Sequence, residues 1–150
     1  MVPADVHRAI EALNHEFAYR VDFGPSESVA ELFAPDGWYA WRGKRSTGRA
    51  EIRASYLARA ARGTRTARHL CTNLRLTPLP SGEVEGHSIM LIFAEDGPPP
   101  HPAVPLLVAD VHDRYALVEG AWLFRWRQLT DVFADPTRTP VLPLGTKEPK

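Results

Sequence analysis

Arg68-His69-Leu70-Cys71-Thr72-Asn73-Leu74-Arg75-Leu76-Thr77-Pro78-Leu79 is the stretch on which the fold turns. Its residues alternate, with Leu70, Thr72, Leu74 and Leu76 on one side and His69, Cys71, Asn73 and Arg75 on the other. A period of two sends successive side chains to opposite faces, so the stretch is a long β-strand. Pro80-Ser81-Gly82 then turns the chain, as that residue set does. Glu83 to Phe93 reads as a second long strand, apolar on both faces at its end. Gly97-Pro98-Pro99-Pro100-His101-Pro102 makes a stiff loop, because proline fixes φ and lacks an N–H. Pro105 to Leu117 is a third strand, Glu119-Gly120 a tight turn, and Ala121 to Thr130 a fourth strand.

Upstream of these strands the periodicity changes. Val6, Ile10, Leu13, Phe17 and Val21 make one apolar helical stripe. Pro3 and Asp5 suit its start, and Gly24-Pro25 its end. A short helix fits Ser28 to Phe33, closed by Pro35-Asp36-Gly37. Trp38-Tyr39-Ala40-Trp41 reads as a strand and Gly43-Lys44-Arg45-Ser46 as a turn. Arg49 to Arg62 is helical, with Ile52, Tyr56 and Leu57 at apolar spacing and Gly63 as its stop. Helices first and hairpin-joined strands afterwards indicate an α+β fold. Residues 1–135 form one domain on this reading, and 136–150 an extended tail with Pro136, Pro140, Pro143 and Pro149. Strands that are apolar on both faces cover helices with one face and leave the other for a partner subunit. The expectation is a homodimer or homotrimer.

Composition narrows the function classes. A length of 150 residues suits one domain, and 44% hydrophobic residues supply a core. Eighteen basic and 18 acidic residues give zero net charge. A nucleic-acid partner would normally require a basic excess, and so would an anionic membrane surface. The one cysteine, Cys71, allows no intrachain disulfide and fits a reducing, cytoplasmic setting. The opening MVPADVHRAIEALNHE has no apolar run and is not a signal peptide. No stretch approaches the ~20 apolar residues of a membrane span. The six histidines (7, 15, 69, 87, 101 and 112) show no HxxxH or HExxH spacing. There is no G-x-S-x-G, phosphate loop or dinucleotide fingerprint, so neither a cofactor nor a metal is expected.

Several pieces taken in order resemble the SnoaL-like branch of the nuclear transport factor 2-like superfamily. They are Val21-Asp22, Glu31-Leu32-Phe33-Ala34-Pro35-Asp36-Gly37, Gly48-Arg49-Ala50-Glu51-Ile52 and Thr66-Ala67-Arg68-His69-Leu70-Cys71-Thr72-Asn73. Ala109-Asp110-Val111-His112-Asp113-Arg114-Tyr115, Glu119-Gly120-Ala121-Trp122-Leu123-Phe124 and Arg127 complete the set. The resemblance implies a cone: a strongly bent antiparallel sheet wrapped around the N-terminal helices and enclosing a pocket. In the scytalone dehydratase and bile-acid dehydratase relatives, an Asp late in the first helix partners a His on the first long strand. Asp22 and His69 match those positions. The tyrosines that work beside that pair do not all match, since Val21 precedes the Asp and Trp41 stands on the aromatic strand. A second pocket histidine of scytalone dehydratase gives way to an apolar stretch near Phe93-Ala94.

An Asp–His pair suits general acid–base chemistry, since the carboxylate fixes the imidazole tautomer and stabilises its charged form. Its plain alternative is that Asp22 pins the helix and His69 is a satisfied core histidine. Asp22 lies on the flank of the apolar stripe, beside Ala18 and Tyr19. Tyr19 could replace the missing acid or simply pack. Trp38, Tyr39 and Trp41 could stack on an aromatic ligand or fill the core. Asn73 could donate to a ligand oxygen or satisfy backbone at a sheet bend. His87 and Asp110 are central strand residues, either of which could enter the pocket. Asp113 with Arg127 reads as a structural pair across neighbouring strands, and Cys71 as a small buried apolar residue. Two functions follow. One is a cofactor-free lyase, isomerase or cyclase for a small hydrophobic, aromatic or polyketide-like molecule. The other is a non-catalytic binding or oligomerisation module, like a dioxygenase β subunit.

Overall fold

A computed structural model describes residues 1–138 of the chain. The tail expected over 136–150 therefore lies, beyond Arg138, outside the described residues. Helix α1 spans Ala4–Phe23, and a 3₁₀ segment follows over Ser26–Leu32. Strands β1 (Phe33–Trp41) and β2 (Lys44–Thr47) precede helix α2 (Gly48–Ala60). Four long strands complete the order: β3 (Arg65–Pro78), β4 (Val84–Asp96), β5 (Leu107–Val118) and β6 (Ala121–Ala134). The fold is α+β, as expected. The strands form one six-stranded sheet in the order β2-β1-β6-β5-β4-β3.

The helical stripe reads true but is wider than the apolar residues alone. Ile10, Leu13, Phe17 and Val21 are buried, and Asn14 and Ala18 join them. Gly24 ends the helix at φ +80°, its N–H bonding Arg20 O at 2.9 Å. That left-handed backbone is the conformation glycine adopts at least cost. α1 packs mainly on β3, and α2 on β1 and the 3₁₀ segment. The buried residues between the helices and the sheet form a core that includes Phe17, Phe33, Tyr39, Tyr56, Tyr115 and Phe124. No described helix is long and apolar enough to cross a membrane.

Three features depart from the sequence reading. The sheet is mixed, because β1 pairs parallel with β6 while every other neighbour pair is antiparallel. The segment read as a turn at 43–46 is mostly strand. The turn is Arg42-Gly43, with φ of 50° and 74°, between paired Trp41 and Lys44. Two positive φ values match a two-residue hairpin turn, but Arg-Gly is a weak signal for one. Glu119-Gly120 makes the same kind of turn where it was expected, between paired Val118 and Ala121.

The third departure decides which residues face inward. A β-bulge interrupts β3 between Thr72 and Arg75, and Asn73 there has φ 57°. One extra residue reverses the alternation. His69 and Cys71 share a face with the core, but past the bulge Leu74 and Leu76 take that face. Asn73 is therefore not on a continuous face with His69. The outer sheet face is also less apolar than expected. Ile89, Leu91 and Phe93 occupy one end of its β4 row, while Glu85 and His87 occupy the other, opposite Arg114 and His112 on β5.

Candidate functional site

Asp22 sits in the last turn of α1, on the flank that also carries Ala18 and Asn14. Helical spacing of four puts all three on one side, and that side is buried. The helix does not unwind to present the carboxylate. His69 reaches it from β3, where the alternation turns it inward. His69 Nδ1 lies 2.6 Å from Asp22 Oδ1, and the His69 backbone N–H donates to Asp22 Oδ2 at 2.8 Å. Both side chains are nearly closed to solvent, at 6% and 5% exposure. One carboxylate thus satisfies two donors of one residue, and the pair predicted from sequence is brought together.

Two small pockets flank His69 along β3. An apolar one of about 160 Å³ lies beside Thr66, Ala67, Arg68 and the β4 residues Phe93 and Ala94, with His101 to Val104 across it. A more polar one of about 150 Å³ lies among Glu11, Asn14, His15, Cys71, Asn73 and Ser88. Asn73 thus lines a pocket after all, but from the bulge and on the far side of Cys71. Burial pushes the Cys71 thiol up; the Arg127 charge opposes this and the Asp113 and Asp22 charges add to it. A protonated buried thiol is a poor nucleophile.

The remaining candidates divide by face. Tyr39 and Trp41 are buried, with Tyr39 against Phe17 and Phe33. Trp41 donates its indole N–H to Asp131 at 2.6 Å, so it acts as a positioned core residue. Tyr19 is 59% exposed and packs on Phe23 outside the helix. The expectation that it enters the pocket is corrected, because i−3 from Asp22 falls on the solvent flank. His87 and Asp110 are likewise corrected. Both alternate outward on β4 and β5 and are exposed, while their neighbours Gly86, Ser88, Ala109 and Val111 point in. Trp38 also lies outside, stacked on Trp126 with ring centroids 5.1 Å apart.

Four interior groups were not read from the sequence as site residues, although Arg127 was legible as the structural partner of Asp113. Tyr56 and Arg59 project from α2, at i+4 and i+7 from the buried Ile52. Tyr56 was legible only as part of an apolar stripe, yet its hydroxyl neighbours that of Tyr39. Burial raises the Tyr56 phenol to about 12, and it raises Tyr39 as well. Arg59 is lowered by burial against the opposing pull of Tyr56 and Asp22, and its buried Nε has no partner. Arg127 and Asn14 form the third and fourth. Arg127 donates to Asp113 at 2.9 and 2.8 Å and also to the Asn14 side-chain oxygen. Its Nη1 is buried without a protein partner. Burial pushes this guanidinium down, but the Asp113 charge outweighs it and the group is raised. The only sequence signal for Asn14 was a polar residue beside an apolar stripe.

Solved structures share this architecture. A protein from Novosphingobium aromaticivorans, provisionally assigned as a scytalone dehydratase, superposes with a TM-score of 0.77 at 22% identity, over 96% of each chain. ActVI-ORFA from Streptomyces coelicolor gives a TM-score of 0.73 at 19% identity, over 85% of this chain and 98% of its own. A cystatin-like protein of unknown function from Nostoc punctiforme gives 0.72 at 23% identity, over 95% and 98%. At these identities the likeness establishes the fold. No curated protein is significantly similar to the chain. The model of the SnoaL-like domain matches residues 3–128, most of the sequence and every element from α1 to the greater part of β6. This chain belongs to the SnoaL-like domain family.

Proposed function

We propose that the chain is a cofactor-free lyase, isomerase or cyclase that uses His69 as its general base. Its substrate is a small hydrophobic molecule of aromatic or polyketide-like character. The observation that carries this reading is the 2.6 Å contact between His69 Nδ1 and Asp22 Oδ1. With Nδ1–H donating to the carboxylate, the lone pair lies on Nε2, the nitrogen left for a substrate. A base in that setting takes a proton from carbon next to a carbonyl, and the imidazolium it becomes is stabilised by Asp22. Returning the proton elsewhere completes an elimination, an isomerisation or a ring closure. Negative charge builds on the carbonyl oxygen meanwhile. Arg127 Nη1 and Arg59 Nε are buried donors without protein acceptors, the kind of group that stabilises such a charge. The SnoaL-like fold and the dehydratase assignment of one structural neighbour support the reading.

A second reading has its own observation. Asp22 also holds the His69 backbone N–H, so it pins the end of α1 to β3 with or without chemistry. The pockets beside β3, about 160 and 150 Å³, are smaller than the ~300–1,000 Å³ of a typical ligand site. Both facts suit a non-catalytic binding or oligomerisation module.

Thermal-shift screening of aromatic ketones and polyketide fragments, followed by turnover assays of the hits, separates the two. General-base catalysis predicts turnover that falls on the order of 100-fold or more in folded His69→Ala and Asp22→Asn. Equal turnover in His69→Ala sinks the His69 mechanism. Hits that bind wild type and never turn over favour the module.

A further inference from the structure

We propose that Glu85, His87 and His112 form a binding site on the outer sheet face for a divalent transition metal ion of the zinc type. The site lies on the opposite face from His69 and does not rest on the reading of that residue.

The placement begins with register. His87 and His112 are directly opposed on β4 and β5, and Glu85 precedes His87 by two on the same outward row. The two imidazoles stack with centroids 4.3 Å apart at 14°. Both Nε2 atoms converge on one oxygen: His112 lies 2.8 Å and His87 3.2 Å from Glu85 Oε1. One ligand atom from each of the three residues lies within 4.8 Å of the others. Zinc binds imidazole nitrogen and carboxylate oxygen at roughly 2.0–2.2 Å, so tetrahedral ligand atoms sit roughly 3.3–3.5 Å apart. The observed spacing needs only small side-chain rotations to reach that.

The surroundings hold the ligands in place. The Trp126 ring meets His112 edge-on at 4.8 Å, and Trp126 is itself stacked on Trp38. Arg114 pairs with Glu85 through the other oxygen, Oε2, at 3.8 Å, and with Glu83 at 3.3 Å. Ligating carboxylates are usually held by such an outer partner, which here leaves Oε1 for the ion. Two imidazoles and one carboxylate select zinc, nickel, copper or cobalt over magnesium or calcium, which prefer oxygen alone. The two rings are 58% and 42% exposed, so water completes the coordination. The positive charges of Arg114, and of Arg75 opposite His87 on β3, oppose an incoming cation. They set the affinity against which the ligands must prevail.

The test is calorimetric titration of zinc chloride into the full chain, free of any tag and stripped of metal with a chelator. One zinc per chain is expected. His87→Ala and His112→Ala should each weaken it by roughly tenfold or more, while His69→Ala leaves it unchanged. All three ligands are surface residues, and circular dichroism confirms that the variants fold. Binding should also raise the unfolding temperature of wild type and not of His112→Ala. No heat of binding in wild type overturns the proposal. So does wild-type affinity in both surface variants, or binding that disappears with His69→Ala instead.

Discussion

Asp113 and Arg127 face each other across β5 and β6 and close two hydrogen bonds, of 2.9 and 2.8 Å, with side chains 1% and 0% exposed. Tyr115 donates to the same carboxylate at 2.7 Å, and Asn14 donates to Tyr115 at 2.9 Å. The Arg127 guanidinium also lies over the rings of Phe124 and Phe17, at 4.3 and 4.6 Å. The pair therefore ties α1 to the middle of the sheet from inside the core.

Removing one member should be costly. Asp113→Ala leaves a buried guanidinium without its counter-charge, which costs about 3–5 kcal/mol. Replacing both with apolar residues of similar volume should cost much less than the two single changes added together. Urea denaturation of the two single variants and the double variant measures this. A loss below about 1 kcal/mol for Asp113→Ala, within the reach of an exposed pair, would show that water reaches Arg127.

Gly86 should not accept a side chain. A Cβ there would lie 2.6 Å from Tyr115 Cε2 and 3.2 Å from its hydroxyl. Tyr115 is fully buried and bonded at its hydroxyl, so the ring has nowhere to swing. Gly86→Ala should destabilise the fold by about 1–3 kcal/mol, as overpacking does. Thermal unfolding checks it, and an unchanged midpoint would mean that the Tyr115 ring has room to move.

Alkaline pH should act through the interior tyrosines. Burial raises Tyr56 to about 12 and raises Tyr39 and Tyr115 as well. A group whose folded value is raised contributes fully below its unfolded value, here about pH 10, and that contribution disappears as pH climbs through the folded value. Stability should thus hold to about pH 10 and fall steeply above it. Phenolate absorbance from these three should appear only as the circular dichroism of the fold is lost. Ionisation of all four tyrosines in a folded chain would contradict the burial argument.

Cys71 should be sluggish toward thiol reagents. Burial raises its thiol above the ordinary value, so less thiolate is present at mildly alkaline pH. Reaction with a chromogenic disulfide should be slower on the order of tenfold or more in the native chain than in denaturant. Equal rates in the two states would place the thiol in water.

The outcomes at single residues show how far the sequence could be read. Asp113 and Arg127 were legible as opposite charges on neighbouring strands, but plain hairpin register around Glu119-Gly120 would set Asp113 against Trp126, and the bulge between Arg114 and Tyr115 is what brings Arg127 opposite it. Asp22 and His69 were found through resemblance; composition and spacing say nothing of a contact between residues 47 apart in the chain. Asn73 was misplaced, since a bulge leaves no mark in an alternating pattern except a residue tolerant of positive φ. His87 and Asp110 could not be assigned a face, because β4 and β5 carry apolar residues in both rows. Tyr56 and Arg59 were invisible as site groups, because helical periodicity shows that they share a face with Ile52 without showing what that face meets.

By itself the sequence determined the elements, their order, the α+β class and most turns. These follow from local physics: the two periodicities, the φ limits of proline and the freedom of glycine. Only the tertiary structure decided that β1 joins β6 in parallel, that the bulge at Asn73 reverses β3, and that Asp22 closes on both donors of His69. Each of those depends on hydrogen bonds between segments far apart in the chain, whose partners no local pattern names.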